Sequence, residues 1–275
     1  MAPGTRTPAR PACIVVSISG GQAAGKKTVQ AALARRLSEL SSGRLRIVCL
    51  HMGDFTKHLD AAAREDALAG VKDMDSIDAY DIDLLATTIQ NILAGDYAGV
   101  RIPRYNVLQL EHEEVQEPLV PTNERGEDGT VDVLLVEGCY MLCEKRLVEM
   151  ADIKVFVDLN ADERLGRRVV RDTEERGIPL EIVFKQYLKF GKRAFEGRIE
   201  PAKSRADIIL PKGAEGAAAI DLIALGILDD INARTDANLD ERNLKAALVG
   251  KTTSLTRSKS ISLGDVDLER FYDPI

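Results

Sequence analysis

Apolar runs of strand length alternate with helix-period segments along most of the chain. Cys13 to Ile18 is rich in β-branched residues and reads as a buried strand. Val29, Leu33, Leu37 and Leu40 then recur at near-fourfold spacing, which puts them on one face of a helix that begins at Lys26. Ser41-Ser42-Gly43 is a turn, and Arg46 to His51 is a second strand. A charged, Ala-rich helical segment covers 57–71. The next helix carries an apolar face of Leu84, Leu85, Ile89, Ile92 and Leu93, with aspartates to cap its start and Gly95 to end it. Val100 to about Val120 reads as a hairpin or flap, and Pro121 to Gly129 as a polar loop. Val131 to Glu137 and Ile153 to Asp158 are further strands. Helices follow over 161–177 and 180–197, then a last strand over 206–210 and a covering helix over 217–231. This alternation predicts an α/β domain.

Composition narrows the picture. A chain of 275 residues holds one large α/β domain, or a domain with a small appendage. The expected organisation is a flexible N-terminus over 1–11, a domain over 12–233 and a polar, disordered tail over 234–275. A net charge of −7 argues against non-specific binding to nucleic acid, which needs a basic surface. No apolar stretch reaches membrane-spanning length, and residues 1–10 lack the apolar core of a secretory signal. The four cysteines sit mostly within apolar runs, so buried, reduced thiols and a reducing, cytoplasmic setting are expected. Cys139 and Cys143 lack partners at a zinc spacing.

The chemistry is concentrated between the first strand and the first helix. Gly20, four residues, then Gly25-Lys26 matches most of a P-loop. Glycines there let backbone N–H groups close around phosphate oxygens, and a helix N-terminus adds partial positive charge. Gly20, Gly21, Gln22, Ala23, Ala24, Gly25, Lys26, Lys27 and Thr28 are therefore the candidate ATP-binding residues. A bare turn between strand and helix is the other reading of such a loop. The hydroxyl that normally follows the lysine and holds Mg²⁺ is replaced by Lys27, with Thr28 one place later.

Two carboxylates end predicted strands, where open α/β sheets keep their ligands: Asp54, just past the second strand, and Glu137. Asp54 is the candidate catalytic carboxylate, or else a helix cap. Glu137 is a candidate Mg²⁺ ligand, or else an ordinary strand-end residue. The aspartates of residues 72–83 lack the glycine and terminal glutamate of a calcium loop; they read first as caps of the following helix, with one of them as a candidate for a substrate hydroxyl. Arg164, Arg167, Arg168, Arg171 and Arg176 form a row that is either a solvated face paired with Glu163, Asp172, Glu174 and Glu175 or a lid on a phosphoryl group. Arg257 to Ser260 has the form of a basic-directed phosphorylation site, and a plain tail is the alternative.

Taken together, these pieces resemble the uridine–cytidine kinases of the phosphoribulokinase/uridine kinase family, a P-loop family. The resemblance runs from about Ile14 to Ile231 and rests on residues 19–26, Asp54-Phe55, residues 75–81, 102–105, 136–138, 156–158, 167–177, 185–187 and 206–211. It implies a P-loop nucleoside triphosphate hydrolase fold: a mostly parallel sheet flanked by helices, a β-hairpin flap and an arginine-bearing helical lid. It implies an ATP-dependent phosphotransferase with Mg²⁺, moving the γ-phosphate to a nucleoside 5′-hydroxyl, and by analogy a homo-oligomer. By position, Lys26 would bind phosphates, Asp54 would act as base and share the metal with Glu137, and Arg171 and Arg176 would meet the triphosphate. Asp75, Tyr105, Arg168 and Gln186 would hold the acceptor. The departures are Lys27, Leu110 where the family places a base-reading histidine, Val107 where it places an aromatic, and Ile178 for an arginine. An ammonium 4 Å from a metal is repelled by about 4 kcal/mol per unit-charge pair at an effective dielectric of 20. The alternatives are an ATP-binding regulatory module with little turnover, or a kinase for another hydroxyl-bearing metabolite.

Overall fold

The computed structural model describes residues 13–113, 118–211 and 216–234. Its strands are β1 (Ile14–Gly20), β2 (Ile47–His51), the short flap strands β3 (Tyr105–Asn106) and β4 (Glu111–His112), then β5 (Val133–Glu137), β6 (Ile153–Asp158) and β7 (Ile208–Pro211). The main sheet has the order β2-β5-β1-β6-β7, and every neighbouring pair is parallel. All seven residues of β1 are buried, as expected of a central strand covered on both faces.

Strand alternation sorts the side chains into two cores. Ile14, Val16 and Ile18 face Val29, Leu33 and Leu37 of α1 (Lys26–Ser41), together with Ile220, Ile223 and Ile227 of the helix over residues 217–234. Val15, Leu134, Val136 and Phe156 face the opposite way, toward α3 (Ile82–Ala94). In α3 the buried residues are Leu85, Ala86, Thr88, Ile89 and Ile92, while Leu84 is exposed rather than part of the apolar face. The Asp81 carboxylate caps this helix by accepting from the Leu84 N–H, and Gly95 ends it at φ 75°. Between α1 and α3 in sequence comes α2 (Ala61–Leu68), capped by Asp60.

The C-terminal half supplies α4 (Lys145–Met150), α5 (Ala161–Val170) and α6 (Leu180–Gln186). The last of these continues as one long helix to Ala202, through π-helical stretches at Tyr187–Gly191 and Phe195–Ile199. It therefore runs past the expected end at 197. The chain divides into two units after Asn232. The second, with the Ser/Thr tail and its expected phosphorylation site, lies almost wholly outside the described residues.

Candidate active site

The P-loop forms at the C-terminal edge of the sheet, between β1 and α1. Gly25 is the N-cap of α1 at φ 94°, a left-handed conformation that strongly favours glycine. The first turn of α1 has no acidic residue and begins with two lysines. Cations at a helix N-terminus oppose its dipole, so this end is built for an anion. Lys26 is buried, at 8% exposure, and its Nζ donates to the Gly21 carbonyl (2.9 Å) and to Cys139 Sγ (3.3 Å). Ala24 is buried and Ala23 is held at φ 58°, while Lys27 and Thr28 are exposed. All four cysteines are free.

Sheet register brings Glu137 beside this loop. It pairs with Ile18 of β1 and with His51 of β2, and His51 Nδ1 lies 3.3 Å from Glu137 Oε1. Burial alone would raise the Glu137 pKa, but the His51 imidazole and the charges of Lys26 and Lys27 outweigh it and hold the carboxyl below its usual range. Glu137 thus stays ionised at neutral pH. His51→Ala removes part of that stabilisation, so any activity requiring ionised Glu137 should lose its acid limb at a higher pH than wild type. A pH–rate profile of kcat/KM checks this, and an unshifted limb would count against the pairing.

The arginine helix closes over the loop. Arg164 and Arg168 are 5% and 6% exposed, which rules out a solvated face for these two. Arg164 packs directly on the P-loop: a Cβ at Gly21 would come within 2.6 Å of its guanidinium. Its guanidinium stacks 3.6 Å from the Phe195 ring centroid. Arg168 donates to Asp75 Oδ2 (2.9 Å), and Gln22 of the P-loop donates to Asp75 Oδ1 (2.6 Å). Burial pushes the Asp75 carboxyl above its usual range, more than Arg168 pulls it back. Beyond α5, Asp172 gathers Arg168 (3.4 Å), Arg171 (2.8 Å) and Arg176 (2.9 Å). Arg171 and Arg176, expected at a triphosphate, are thus anchored on a buried carboxylate.

The flap closes the other side. Asp54 sits on a tight turn after β2 (Met52–Phe55), and its Oδ1 accepts from the Tyr105 N–H (3.3 Å). His112 packs its ring edge-on against Tyr105, with centroids 5.2 Å apart, and its Nε2 lies 3.3 Å from the Asp54 carbonyl. The flap therefore carries a histidine, two residues beyond Leu110, which sits at φ 55° in the turn. Val107 is exposed, and Gln186 reaches the Ala67 carbonyl (3.3 Å) at the end of α2. Among the described residues no three acidic, histidine or cysteine side chains form a metal cage. Mg²⁺ does not need one, since it is commonly held by one or two carboxylates with substrate phosphates and water. A single ionised, partly buried Glu137 beside the P-loop fits that pattern.

A parallel sheet, a P-loop with its lysine, a strand-end carboxylate and an arginine lid define a P-loop phosphotransferase. The family model "Phosphoribulokinase / Uridine kinase family" matches residues 15–219, and the chain belongs to this family, whose members are phosphotransferases acting on an alcohol group. It is 34% identical over 220 residues to Uridine-cytidine kinase 2-B of Danio rerio, covering 79% of this chain and 80% of that one. It is 37% identical over 209 residues to Uridine-cytidine kinase B of Dictyostelium discoideum, covering 76% and 79%. Among solved structures, phosphoribulokinase from Rhodobacter spheroides superposes with a TM-score of 0.51 at 15% identity, over 72% of this chain and 69% of that one. That likeness is one of fold.

Proposed function

We propose that this chain is an ATP-dependent kinase that moves the γ-phosphate to the 5′-hydroxyl of a nucleoside, with uridine and cytidine as first acceptors. The observation that carries the reading is the convergence of Lys26, ionised Glu137 and the Asp75–Arg168 pair around one loop, in a chain similar to uridine–cytidine kinases over most of its length. The loop backbone and Lys26 hold the phosphates. Glu137 would hold Mg²⁺, which neutralises charge on the phosphates. As the acceptor oxygen bonds to the γ-phosphorus, the bond to the β-phosphate oxygen breaks, and Asp54 takes the hydroxyl proton. Asp75, Tyr105 and His112 line the acceptor side, and Arg164 and Arg168 exclude water above the loop. The kinase domain spans 12–233 in this reading, works in the cytoplasm and assembles by family analogy.

Incubating the purified chain with ATP, Mg²⁺ and a panel of nucleosides and sugar-like alcohols, with mass spectrometry of the acceptors, tests the assignment. A nucleoside 5′-monophosphate is expected; phosphate on a non-nucleoside alcohol alone would replace the acceptor. A second reading, ATP binding without turnover, draws on Lys27 in place of the hydroxyl. Lys27 is exposed, so its ammonium has room to turn from a metal. Lys27→Ser should raise Mg²⁺-dependent turnover several-fold if the lysine weakens the metal site. An unchanged Mg²⁺ dependence would mean the lysine is accommodated.

A further inference from the structure

Gln22 lies within the P-loop, yet its side chain reaches out of it. Its Nε2 donates to Asp75 Oδ1 at 2.6 Å, across 53 positions of sequence. A carboxylate only accepts, so the amide nitrogen is fixed as the donor. Lys26 instead turns back to the Gly21 carbonyl and Cys139 Sγ. A phosphate cradle of this kind is made chiefly by backbone N–H groups, which leaves the Gln22 amide available for another task. Asp75 is fixed on its other sides and is only 6% exposed. Its Oδ2 accepts from Arg168 (2.9 Å), its N–H donates to Asp73 Oδ1 (2.9 Å), and its carbonyl accepts from the Tyr140 hydroxyl. A Cβ at Gly191 would come within 2.9 Å of Asp75 Oδ2, so the long helix packs directly on the pair.

The Gln22 amide is thus the direct hydrogen bond between the phosphate loop and this carboxylate. An ionised carboxylate offers about four lone-pair sites, and Gln22 and Arg168 use one each, so Asp75 can still accept from a hydroxyl. We propose that Gln22 is a positioning residue joining the nucleotide and acceptor subsites. A loop ordered by phosphate holds Gln22, and Gln22 holds Asp75 in the orientation that takes an acceptor hydroxyl. The inference rests on the nucleoside-kinase reading above and adds to it a residue outside the reacting groups. Its physical basis is preorganisation: a ligand entering a site already ordered loses less freedom on binding, so nucleotide should tighten the acceptor. Linkage makes the effect reciprocal, and removal of Asp75 must be felt at the nucleotide.

Calorimetric titration of the non-hydrolysable analogue AMP-PNP with Mg²⁺ into four full chains tests it: wild type, Gln22→Met, Asp75→Ala and the double variant. Methionine keeps the length of the side chain and removes the amide, so a packing role would survive the change. Each single variant should lose about fivefold in analogue affinity, and the double variant no more than either alone. Losses that multiply in the double variant would overturn the coupling. Asp75→Asn replaces Asp75→Ala if the latter fails to fold, with a smaller expected loss, because its amide can still pair with Gln22. A second arm measures uridine binding with and without AMP-PNP. The analogue should tighten uridine about fivefold in wild type and leave it unchanged in Gln22→Met. An equal gain in both chains would overturn the proposal. No uridine binding by any chain would overturn the acceptor assignment instead, and the four-chain cycle would still decide the role of Gln22. No analogue binding by wild type would remove the nucleotide reading and this inference with it.

Discussion

Lys26→Ala is expected to lower turnover by about 10²–10³, the usual cost of losing one preorganised group at a developing charge. The side chain is nearly fully buried, yet its ammonium is held by only a carbonyl and a thiol. Neither hydrogen-bond partner is charged, although the Glu137 carboxylate acts on the ammonium through space. A buried cation hydrogen-bonded only to neutral groups is incompletely compensated, and phosphate oxygens would supply charge-assisted hydrogen bonds of roughly twice the neutral strength. The loss should therefore appear in nucleotide affinity as well as in rate, with little change in the fold's spectrum. Equilibrium titration with ATP checks it, and wild-type affinity in the variant would refute the P-loop assignment.

Asp75→Ala is expected to destabilise the chain by about 2–4 kcal/mol, because it removes the acceptor of the Gln22 amide and leaves the buried Arg168 charge with Asp172 alone. For a domain of this size that corresponds to a thermal midpoint lower by on the order of 10 °C. Asp75→Asn keeps an acceptor for one of the two donors and should cost less. The pH dependence has a definite sign. Burial raises the Asp75 carboxyl in the folded chain above its unfolded value, so its contribution is fully present below the unfolded pKa and is lost as pH rises through the folded one. Thermal unfolding of wild type and Asp75→Asn across that window should show a steeper loss with rising pH in wild type. Parallel curves would mean that the carboxyl titrates normally.

Much of this was legible in the sequence, and the reasons differ by residue. Strand runs and the face of Val29, Leu33 and Leu37 are local patterns, so the elements of the α/β fold could be read directly. The P-loop is a contiguous motif, and Lys26 followed from spacing alone. Leu84 was misplaced because apolar identity does not say which side of a helix meets the core. His51 was missed as the partner of Glu137, since the two meet only through the β2–β5 register, 86 residues apart in sequence. Asp172 looked like one of four acids near the arginines; only the fold shows that it draws together Arg168, Arg171 and Arg176. His112 lies two residues past Leu110, and only the turn of the short hairpin decides that it is the side chain set against Tyr105 and the Asp54 carbonyl.

The measurement that bears most directly on the kinase assignment is ADP formation by the purified chain with ATP and Mg²⁺, with and without uridine or cytidine. ADP formation that depends on the nucleoside, and that disappears in Lys26→Ala, is the predicted result. ATP binding with no nucleoside-dependent ADP formation would contradict it.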